Sequence, residues 1–289
     1  MPILYVLQGG YVDRMPDAGR VAAAFHQKAT EYDQHILVQK RVVANLAAAL
    51  ELHPGRSPER ILDVGTGTGA LLEKMHSLYP QARLTGVDIA LNMCLCAQKK
   101  LGALCQTVNG DAENLPFRTG VFDLVLSASA LQWVGSLPAA LHEMRRVVRP
   151  GGDVCLAFFC HGTLDELQHC FRDVAGRNGA GGTQRASRLH AFRTAEEVRS
   201  ILNEMDFERF VVTVETEVDW YEDLHSLLRS IKNIGAGTVS GGSASGLGWR
   251  GILQETSRLY QERYGQNGRI PATYKVLYLS ARTGLRSSS

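Results

Sequence analysis

The chain has 289 residues, of which 45% are hydrophobic and 21% are charged, and its formal net charge is +2. This composition is ordinary for a globular protein and disfavours dedicated nucleic-acid binders, which need a basic surface, and membrane proteins, because no apolar run reaches about 18 residues. The six cysteines form no C-x-x-C pair, which favours reduced structural thiols and a cytoplasmic protein.

The N-terminal region precedes the first predicted strand. Residues 1–16 lack the basic start and the apolar core of a signal peptide, and we expect them to be a disordered extension. Apolar residues recur at helical spacing over 17–55, which predicts one or two amphipathic helices. A segment rich in proline and glycine at 53–58 then leads into the strand.

The stretch that follows organises the rest of the chain. An apolar run ends in Asp63, glycines follow at every second position from Gly65 to Gly69, and a helix-forming segment begins. This pattern predicts a strand, a tight turn and a helix N-terminus. Glycines allow the turn to adopt positive φ and allow a ligand to approach the backbone. We expect the Asp63 carboxylate to point into the crevice at the end of the strand.

A second acid narrows the class of ligand. Asp88 ends the next predicted strand, 19 residues beyond Gly69, at about the distance where Rossmann-type units bind ribose hydroxyls. The glycine spacing is G-x-G-x-G, unlike the G-x-G-x-x-G of dinucleotide binders, and no Lys-Ser/Thr follows as in a P-loop. The pattern therefore favours a ligand with a ribose that needs no phosphates, such as S-adenosylmethionine (SAM), over a dinucleotide.

Strands and helices alternate up to residue 159, which predicts an α/β fold with helices on both faces of a parallel sheet. The pattern changes after Cys160, and glycine-rich segments at 176–182 and 235–248 predict flexible connections. The predicted strands are 60–64, 83–88, 105–109, 122–127, 154–159, 207–219 and 272–281, and the predicted helices are 68–79, 90–100, 136–148, 163–175, one from 194, 221–233 and 249–264.

Motifs between residues 60 and 160 resemble those of the class I SAM-dependent methyltransferases. The resemblance implies a Rossmann-like, seven-stranded, mostly parallel sheet with N-terminal helices and an inserted helical lid. It also implies SAM as cofactor and no metal. The similar segments are Asp63-Val-Gly-Thr-Gly-Thr-Gly, Asp88, Gly110-Asp111-Ala112, Leu115-Pro-Phe with Phe122-Asp-Leu-Val, and Arg145-Arg-Val-Val-Arg-Pro-Gly-Gly.

Segments outside this core resemble the BioC family, the malonyl-acyl-carrier-protein O-methyltransferases of biotin synthesis. The most specific is Ile231-Lys-Asn-Ile-Gly-Ala, whereas the stretch 240–249 departs from the family and gives no clue to the substrate. The other similar segments lie at 24–40, 131–133, 162–167, 190–192, 228–230 and 271–274. The resemblance implies one methyltransferase domain over 17–282, with N-terminal helices at 17–55, the SAM-binding core at 60–160, lid insertions within 161–270, the last strand at 271–282 and a tail at 283–289.

The class resemblance assigns the contacts to the ribose and the methionine part of SAM. Asp88 would bind both ribose hydroxyls through a charge-assisted contact. The backbone at Gly65, Gly67 and Gly69 would approach the methionine part, and Asp63 would orient its amino group. A strand-end acid that caps the following helix is the alternative for Asp88.

The adenine side and the fourth strand supply the remaining predicted cofactor contacts. Asp111 would accept a hydrogen bond from the adenine amino group, and Ala112 would supply a backbone donor. Ile89 is assigned to the same site, and the carbonyl of Ser127 to the surroundings of the SAM amino group. An Asx turn or an N-cap is the alternative for Asp111, and a structural strand-end serine is the alternative for Ser127.

On the acceptor side, methyl transfer to a carboxylate needs no general base, because the nucleophile is ionised at neutral pH. Catalysis would then depend on alignment and on the exclusion of water. The family resemblance assigns Tyr32 and Gln132 to aiming the carboxylate and Trp133 to the substrate wall, although plain packing accounts for all three. Arg188 and Lys232 are the candidates for binding the malonyl group, with a solvated surface charge as the alternative for each.

The family resemblance implies methyl transfer from SAM to the free carboxylate of malonyl-acyl-carrier-protein or malonyl-coenzyme A. The products would be S-adenosylhomocysteine and a methyl ester that primes pimeloyl and biotin synthesis. Two alternatives stay open: a methyltransferase acting on another small molecule, such as a quinone precursor or another carboxylate, and a non-catalytic SAM-binding partner protein. An essential His26, His35 or His161 would favour a C-methylation, which needs a base. The acidic carrier protein is the expected partner, with no nucleic acid and no membrane.

Overall fold

The computed structural model describes residues 19, 21–23, 25, 37–51, 57–177, 192–233 and 247–285, except for the side chains of 232, 233 and 247–249. The predicted extension at 1–16 and the candidate residues Tyr32 and Arg188 lie outside the described residues. Lys232 is described only as a backbone position.

Seven strands form a single sheet in the order β3-β2-β1-β4-β5-β7-β6. Strands β1 to β5 are parallel to their neighbours, and β7 lies antiparallel between β5 and β6. The prediction of a seven-stranded, mostly parallel, Rossmann-like sheet is therefore confirmed. The strands are β1 Arg60–Val64, β2 Arg83–Asp88, β3 Cys105–Asn109, β4 Phe122–Ala128, β5 Val148–Phe159, β6 Arg209–Tyr221 and β7 Ile270–Arg282.

Helices cover both faces of the sheet. One apolar core lies between the sheet and α1, α2, α5, α7 and α8, and another lies between the sheet and α4 and α6. Strand β4 contributes side chains to both cores. Leu124 and Leu126 belong to the first core and Val125 to the second, because successive side chains of a strand point to opposite faces of the sheet. The helices, numbered among the described residues, are α1 Leu37–Glu51, α2 Ala70–Leu78, α3 Leu91–Leu101, α4 Leu137–Val147, α5 Asp165–Arg177, α6 Ala195–Asn203, α7 Leu224–Asn233 and α8 Leu247–Tyr264.

The fifth strand begins earlier than the sequence predicts, at Val148 instead of residue 154. The preceding helix ends at Val147, one residue before its predicted end, and the chain enters the strand directly instead of forming a loop. Gly151, at φ 72°, donates hydrogen bonds from its N–H to the carbonyls of Thr283 and Gly284. Thr283, which the sequence assigns to a tail, is fully buried and donates from its hydroxyl to the carbonyl of Arg149 at 2.7 Å. These long-range partners explain why a local pattern of proline and glycine places the strand too late.

The predicted helical insertions after β5 are present in part within the described ranges. Helices α5 and α8 pack together in the first core and are joined at the surface by an ion pair between Asp173 and Arg263 at 2.6 Å. The glycine-rich segments at 176–182 and 235–248 lie mostly outside the described residues. Closure of these helices over the site as a lid remains a prediction.

The cysteines are free thiols, as predicted, and five of the six are buried. Burial raises the pKa of Cys94, Cys160 and Cys170 to about 11, which keeps these thiols protonated at neutral pH. None of the helices in the described ranges is long and apolar enough to cross a membrane.

Candidate active site

The glycine turn after β1 has the conformation that its sequence predicts. Gly65, Gly67 and Gly69 all have positive φ, at 73°, 53° and 85°. The N–H groups of Gly65 and Thr66 both donate to the carbonyl of Val87, at 2.8 and 3.0 Å, so the turn is tied to the end of β2. The turn therefore sits at the carboxyl edge of the sheet, where open α/β sheets bind ligands.

The three glycines serve different contacts. A Cβ atom on Gly65 would lie 2.2 Å from the Cβ of Ala130, so only glycine lets the loop after β4 approach the turn. A Cβ atom on Gly69 would lie 2.9 Å from the side chain of Leu101, which makes Gly69 a packing position between α2 and α3. A Cβ atom on Gly67 would meet nothing within 4 Å. Gly65 and Gly67 line the cavities described next, whereas Gly69 does not.

A first cavity of about 780 Å³ opens along the ends of β1 to β4. Its apolar side includes Val21, Phe25 and Met93. It brings together seven of the residues predicted to form the site, namely Gly65, Gly67, Asp88, Ile89, Asp111, Ala112 and Trp133.

Asp88 links this cavity to the glycine turn. Its Oδ2 accepts a hydrogen bond from the N–H of Gly67 at 2.9 Å, and its Oδ1 accepts one from the N–H of Ala90 at 2.8 Å. Burial raises the pKa of Asp88 to about 6, although both N–H groups oppose the rise. A carboxylate has about four lone-pair sites, so one on each oxygen stays free of these bonds. The residue thus anchors the backbone at Ala90, just before α3, and can still accept hydrogen bonds from two ligand hydroxyls.

The Gly110-Asp111-Ala112 motif forms the Asx turn that the sequence leaves open as an alternative. Asp111 accepts a hydrogen bond from the N–H of Glu113 at 2.9 Å. Glu113 in turn accepts from the N–H groups of Gly135 and Ser136, at 2.6 and 3.0 Å, and so fixes the opposite wall of the first cavity. Sequence reasoning missed this role of Glu113, because its partners lie 22 and 23 residues further along the chain.

The segment after β4 separates two residues that the sequence groups together. Trp133 lines the first cavity and packs edge-on against Phe25, with ring centroids 6.1 Å apart. Gln132 lines neither this cavity nor the second. Its amide nitrogen donates to the carbonyl of Ser129 at 2.7 Å, and its Oε1 is buried without a hydrogen-bond partner in the described part of the chain.

A second cavity of about 1160 Å³ lies between the glycine turn, α1 and α2. It shares Gly65, Gly67, Ala128 and Ser129 with the first cavity, so the two meet over the turn. Asp63 lines this second cavity and is 1% exposed. Burial raises the pKa of Asp63 to about 7, and the nearby hydroxyl of Thr66 opposes the rise without meeting the geometry of a hydrogen bond.

Buried polar atoms without a hydrogen-bond partner are concentrated at this junction. Of the seven such side-chain atoms among the described residues, all but Asp219 Oδ2 belong to the ends of β1 and β4. Native proteins pair the large majority of buried polar atoms, so the unpaired atoms that line the cavities, in Asp63, Thr66 and Ser129, indicate a polar ligand. The six atoms are both carboxylate oxygens of Asp63, the hydroxyls of Thr66, Ser127 and Ser129, and Oε1 of Gln132.

Two serines of β4 and its loop differ in their access to the cavities. Ser127, the predicted contact, is fully buried and lines neither cavity. Ser129 lines both and has a positive φ of 58°, which is uncommon for a residue other than glycine. Sequence reasoning missed Ser129, since nothing in its local pattern distinguishes it from Ser127.

The densest group of arginines stabilises the fold away from the cavities. Arg145 pairs with Asp206, Arg146 with Glu143, and Arg149 with Asp123. His161 is exposed, and His26 and His35 lie outside the described residues. Within the described ranges, no three His, Cys, Asp or Glu side chains are grouped as metal ligands would be.

Comparison with known proteins places these features in a family. Residues 62–156 match the family model of a methyltransferase domain. The chain is 41% identical to the malonyl-acyl-carrier-protein O-methyltransferase of Geobacter sulfurreducens, over 91% of this chain and 98% of that protein. It is 32% identical to the protein of the same name from Laribacter hongkongensis, over 91% and 88% of the two chains. The crystal structure of YcgJ from Bacillus subtilis has a TM-score of 0.57 at 17% identity, covering 83% and 98% of the two chains, and supports the fold.

Proposed function

The chain belongs to the malonyl-acyl-carrier-protein O-methyltransferase family of SAM-dependent methyltransferases, and we propose that it methylates the free carboxylate of a malonyl group attached to an acyl carrier protein. The similarity to the Geobacter sulfurreducens protein along almost the whole of both chains carries this proposal. The methyl ester would hide a negative charge, so that the product resembles an apolar acyl chain.

The residues at the carboxyl edge fit SAM. Asp88, with one free lone-pair site on each oxygen, would accept the two ribose hydroxyls. Asp111 and Ala112 would contact the adenine in the first cavity, and Asp63, whose oxygens have no partner within the described residues, would take the amino group across the turn. When bound, SAM supplies a sulfonium methyl group as the electrophile. The proposal includes no metal.

The chemistry asks the protein to align and desolvate the acceptor. The malonyl carboxylate is ionised at neutral pH and needs no general base. Trp133, which lines the first cavity near the turn, would form an aromatic wall that excludes water from the reacting atoms. Gln132 would act by holding the loop at Ser129. Tyr32, Arg188 and Lys232 remain our candidates for contacts with the malonyl group.

Transfer of labelled methyl from SAM tests the proposal. The acceptors are malonyl-acyl-carrier-protein, malonyl-coenzyme A and, as a control without the free carboxylate, acetyl-acyl-carrier-protein. Base-labile label on the malonyl carrier alone would support both the reaction and the carrier as partner. Label on both malonyl thioesters would support the reaction and remove the preference for the carrier.

Failure of transfer separates the alternatives. If the protein binds SAM but labels neither malonyl thioester, the malonyl assignment is wrong. Label on a quinone precursor or another carboxylate would then favour a different small-molecule methyltransferase. A stable protein complex without turnover would favour a SAM-binding partner protein.

A further inference from the structure

The wall of the second cavity formed by α1 and α2 carries polar groups that the proposed cofactor contacts do not use. Gln39 and Lys40 lie in the first turn of α1, and Lys74 lies on α2. The wall formed by the strand ends carries Asp63 and Ser129. The cavity therefore has an acidic side and a side with an amide and two ammonium groups.

Gln39 is the most informative of these residues. It is only 6% exposed and lies on the buried face of α1, where its neighbours Val38 and Val42 pack in the apolar core. It makes no hydrogen bond with any part of the chain that the structure describes. Because Gln39 lines the second cavity, its amide is free to form hydrogen bonds with a polar ligand there.

The position of Gln39 is fixed by the docking of α1 on the sheet. Arg41, two residues further along the helix, pairs with Glu217 at 2.8 Å and with Asp219 at 2.6 Å, and both acids lie on β6. Asn45, one turn later, donates to the hydroxyl of Tyr278 at 3.3 Å. These contacts hold the first turn of α1 against the cavity, so Gln39 is a preorganised donor.

The electrostatics of this wall favour an anion. Lys100 also lines the cavity and pairs with Glu73 at 2.8 Å, whereas Lys40 and Lys74 form no ion pair with other described residues. Helix α2 also begins here, at Ala70, and its N-cap Gly69 offers no side-chain acceptor to the first-turn N–H groups. The positive N-terminal end of α2 and the two lysines therefore both attract an anion.

We propose that Gln39 and Lys40 bind the carboxylate of the amino-acid part of SAM, while Asp63 binds its ammonium group. The proposal rests on the proposed function, because it takes SAM as the ligand. A zwitterion matches the two unlike walls of the second cavity, and the Gly65–Gly67 turn, which both cavities share, connects it to the nucleoside in the first. The α1 wall then selects cofactors that carry a complete amino acid.

Calorimetric titration with three ligands tests this assignment without turnover. S-adenosylhomocysteine has the whole amino acid, its decarboxylated analogue keeps only the amine, and 5′-methylthioadenosine has neither group. Gln39→Leu should weaken binding of S-adenosylhomocysteine roughly 10- to 100-fold, the equivalent of losing a hydrogen bond to a charged group. The affinities of the other two ligands should not change.

A charge reversal at Lys40 is a second test, and it does not alter the packing of the apolar core. Lys40 is exposed, so Lys40→Glu should fold normally. The variant should bind S-adenosylhomocysteine more weakly, and it should bind the decarboxylated, cationic analogue more tightly. Lys99→Gln is the matched control, because Lys99 is an exposed lysine on α3 that lines neither cavity. It should leave all three affinities unchanged.

Several results would overturn the assignment. If Gln39→Leu lowers the affinity for all three ligands equally, Gln39 has only a packing role. A change in the KM for the malonyl substrate without a change in S-adenosylhomocysteine affinity would assign this wall to the acceptor. If the wild-type protein binds all three ligands equally, the carboxylate site is wrong while the cofactor stands; if it binds none of them, the proposed function fails as well.

Discussion

The carboxylate of Asp88 accepts a hydrogen bond from the N–H of Gly67 at 2.9 Å, which ties the acid at the end of β2 to the turn that follows β1. The second oxygen accepts from the N–H of Ala90 at the start of α3. A single side chain therefore holds three segments around the first cavity, and it does so with lone-pair sites left for a ligand.

Asp88→Asn should weaken both the fold and the cofactor site. The amide keeps one acceptor oxygen but turns an NH2 group toward one of the two backbone donors. One buried N–H then loses its partner, at a cost of about 1–3 kcal/mol. We expect a lower free energy of unfolding in denaturant titration and weaker binding of S-adenosylhomocysteine by calorimetry. Asp111→Asn, at a half-buried acid that accepts a single N–H, should cost less stability, and unchanged binding in Asp88→Asn would contradict the ribose assignment.

Gly65→Ala and Gly67→Ala should separate packing from ligand approach. Both positions have positive φ, so alanine is strained at each by about 1 kcal/mol. At Gly65 the new methyl group also collides with Ala130, so Gly65→Ala should be far less stable in thermal denaturation. At Gly67 the methyl group meets no protein atom within 4 Å and projects beside a cavity. Gly67→Ala should therefore keep most of its stability and lose ligand affinity, and equal stability of the two variants would refute this distinction.

The parts of the site that the sequence predicts well are those encoded locally. Asp63, the glycine turn and Asp88 follow one another in strand, turn and strand, and parallel neighbouring strands necessarily bring their ends to one edge. The bounds of β1, β2 and β3 agree with the structure for the same reason. Asp111 lines the first cavity, but the sequence alone does not decide its role, because an Asx turn and a ligand contact need the same carboxylate.

The parts that the sequence does not reveal depend on contacts between distant segments. Gln39 precedes β1 by about 20 residues and reaches the cavity only through the docking of α1 by Arg41 on β6. Ser129 differs from Ser127 only in the backbone turn that exposes it to both cavities. The early start of β5 likewise depends on Thr283, more than 100 residues away. Local periodicity carries no information about such partners.

Asp63→Asn should reveal the charge state of the buried acid. Burial raises the pKa of Asp63 from its ordinary value of 3.8 to about 7. Between these pH values the folded protein holds a proton that the unfolded chain has released, so ionisation of Asp63 destabilises the ligand-free protein as pH rises from about 4 to about 7. Asp63→Asn removes this penalty, and we expect its Tm without ligand to exceed that of the wild type at pH 8, by more than at pH 5.

Bound S-adenosylhomocysteine should reverse the order of the two Tm values at pH 8. An ammonium group beside Asp63 favours the ionised carboxylate, so saturating S-adenosylhomocysteine should raise the Tm of the wild type at pH 8 and raise that of Asp63→Asn much less. Wild-type affinity should also decline as pH falls below about 7, because the carboxylate must then lose a proton to bind the ligand. A Tm gain of equal size in both proteins would contradict the contact between Asp63 and the amino group.

Glu113→Ala should loosen the far wall of the first cavity. Its carboxylate accepts from the N–H groups of Gly135 and Ser136, which lie between Trp133 and the start of α4. Removing the acceptor leaves two N–H groups to find water, so we expect a loss of about 1–3 kcal/mol in the free energy of unfolding and weaker binding of S-adenosylhomocysteine. Glu113→Gln retains one acceptor oxygen and should lose less of both. Glu208→Ala, at an exposed glutamate remote from both cavities, should change the free energy of unfolding by less than about 0.5 kcal/mol. If Glu113→Ala behaves like Glu208→Ala, the wall is held by the packing of Trp133 on Phe25 and not by Glu113.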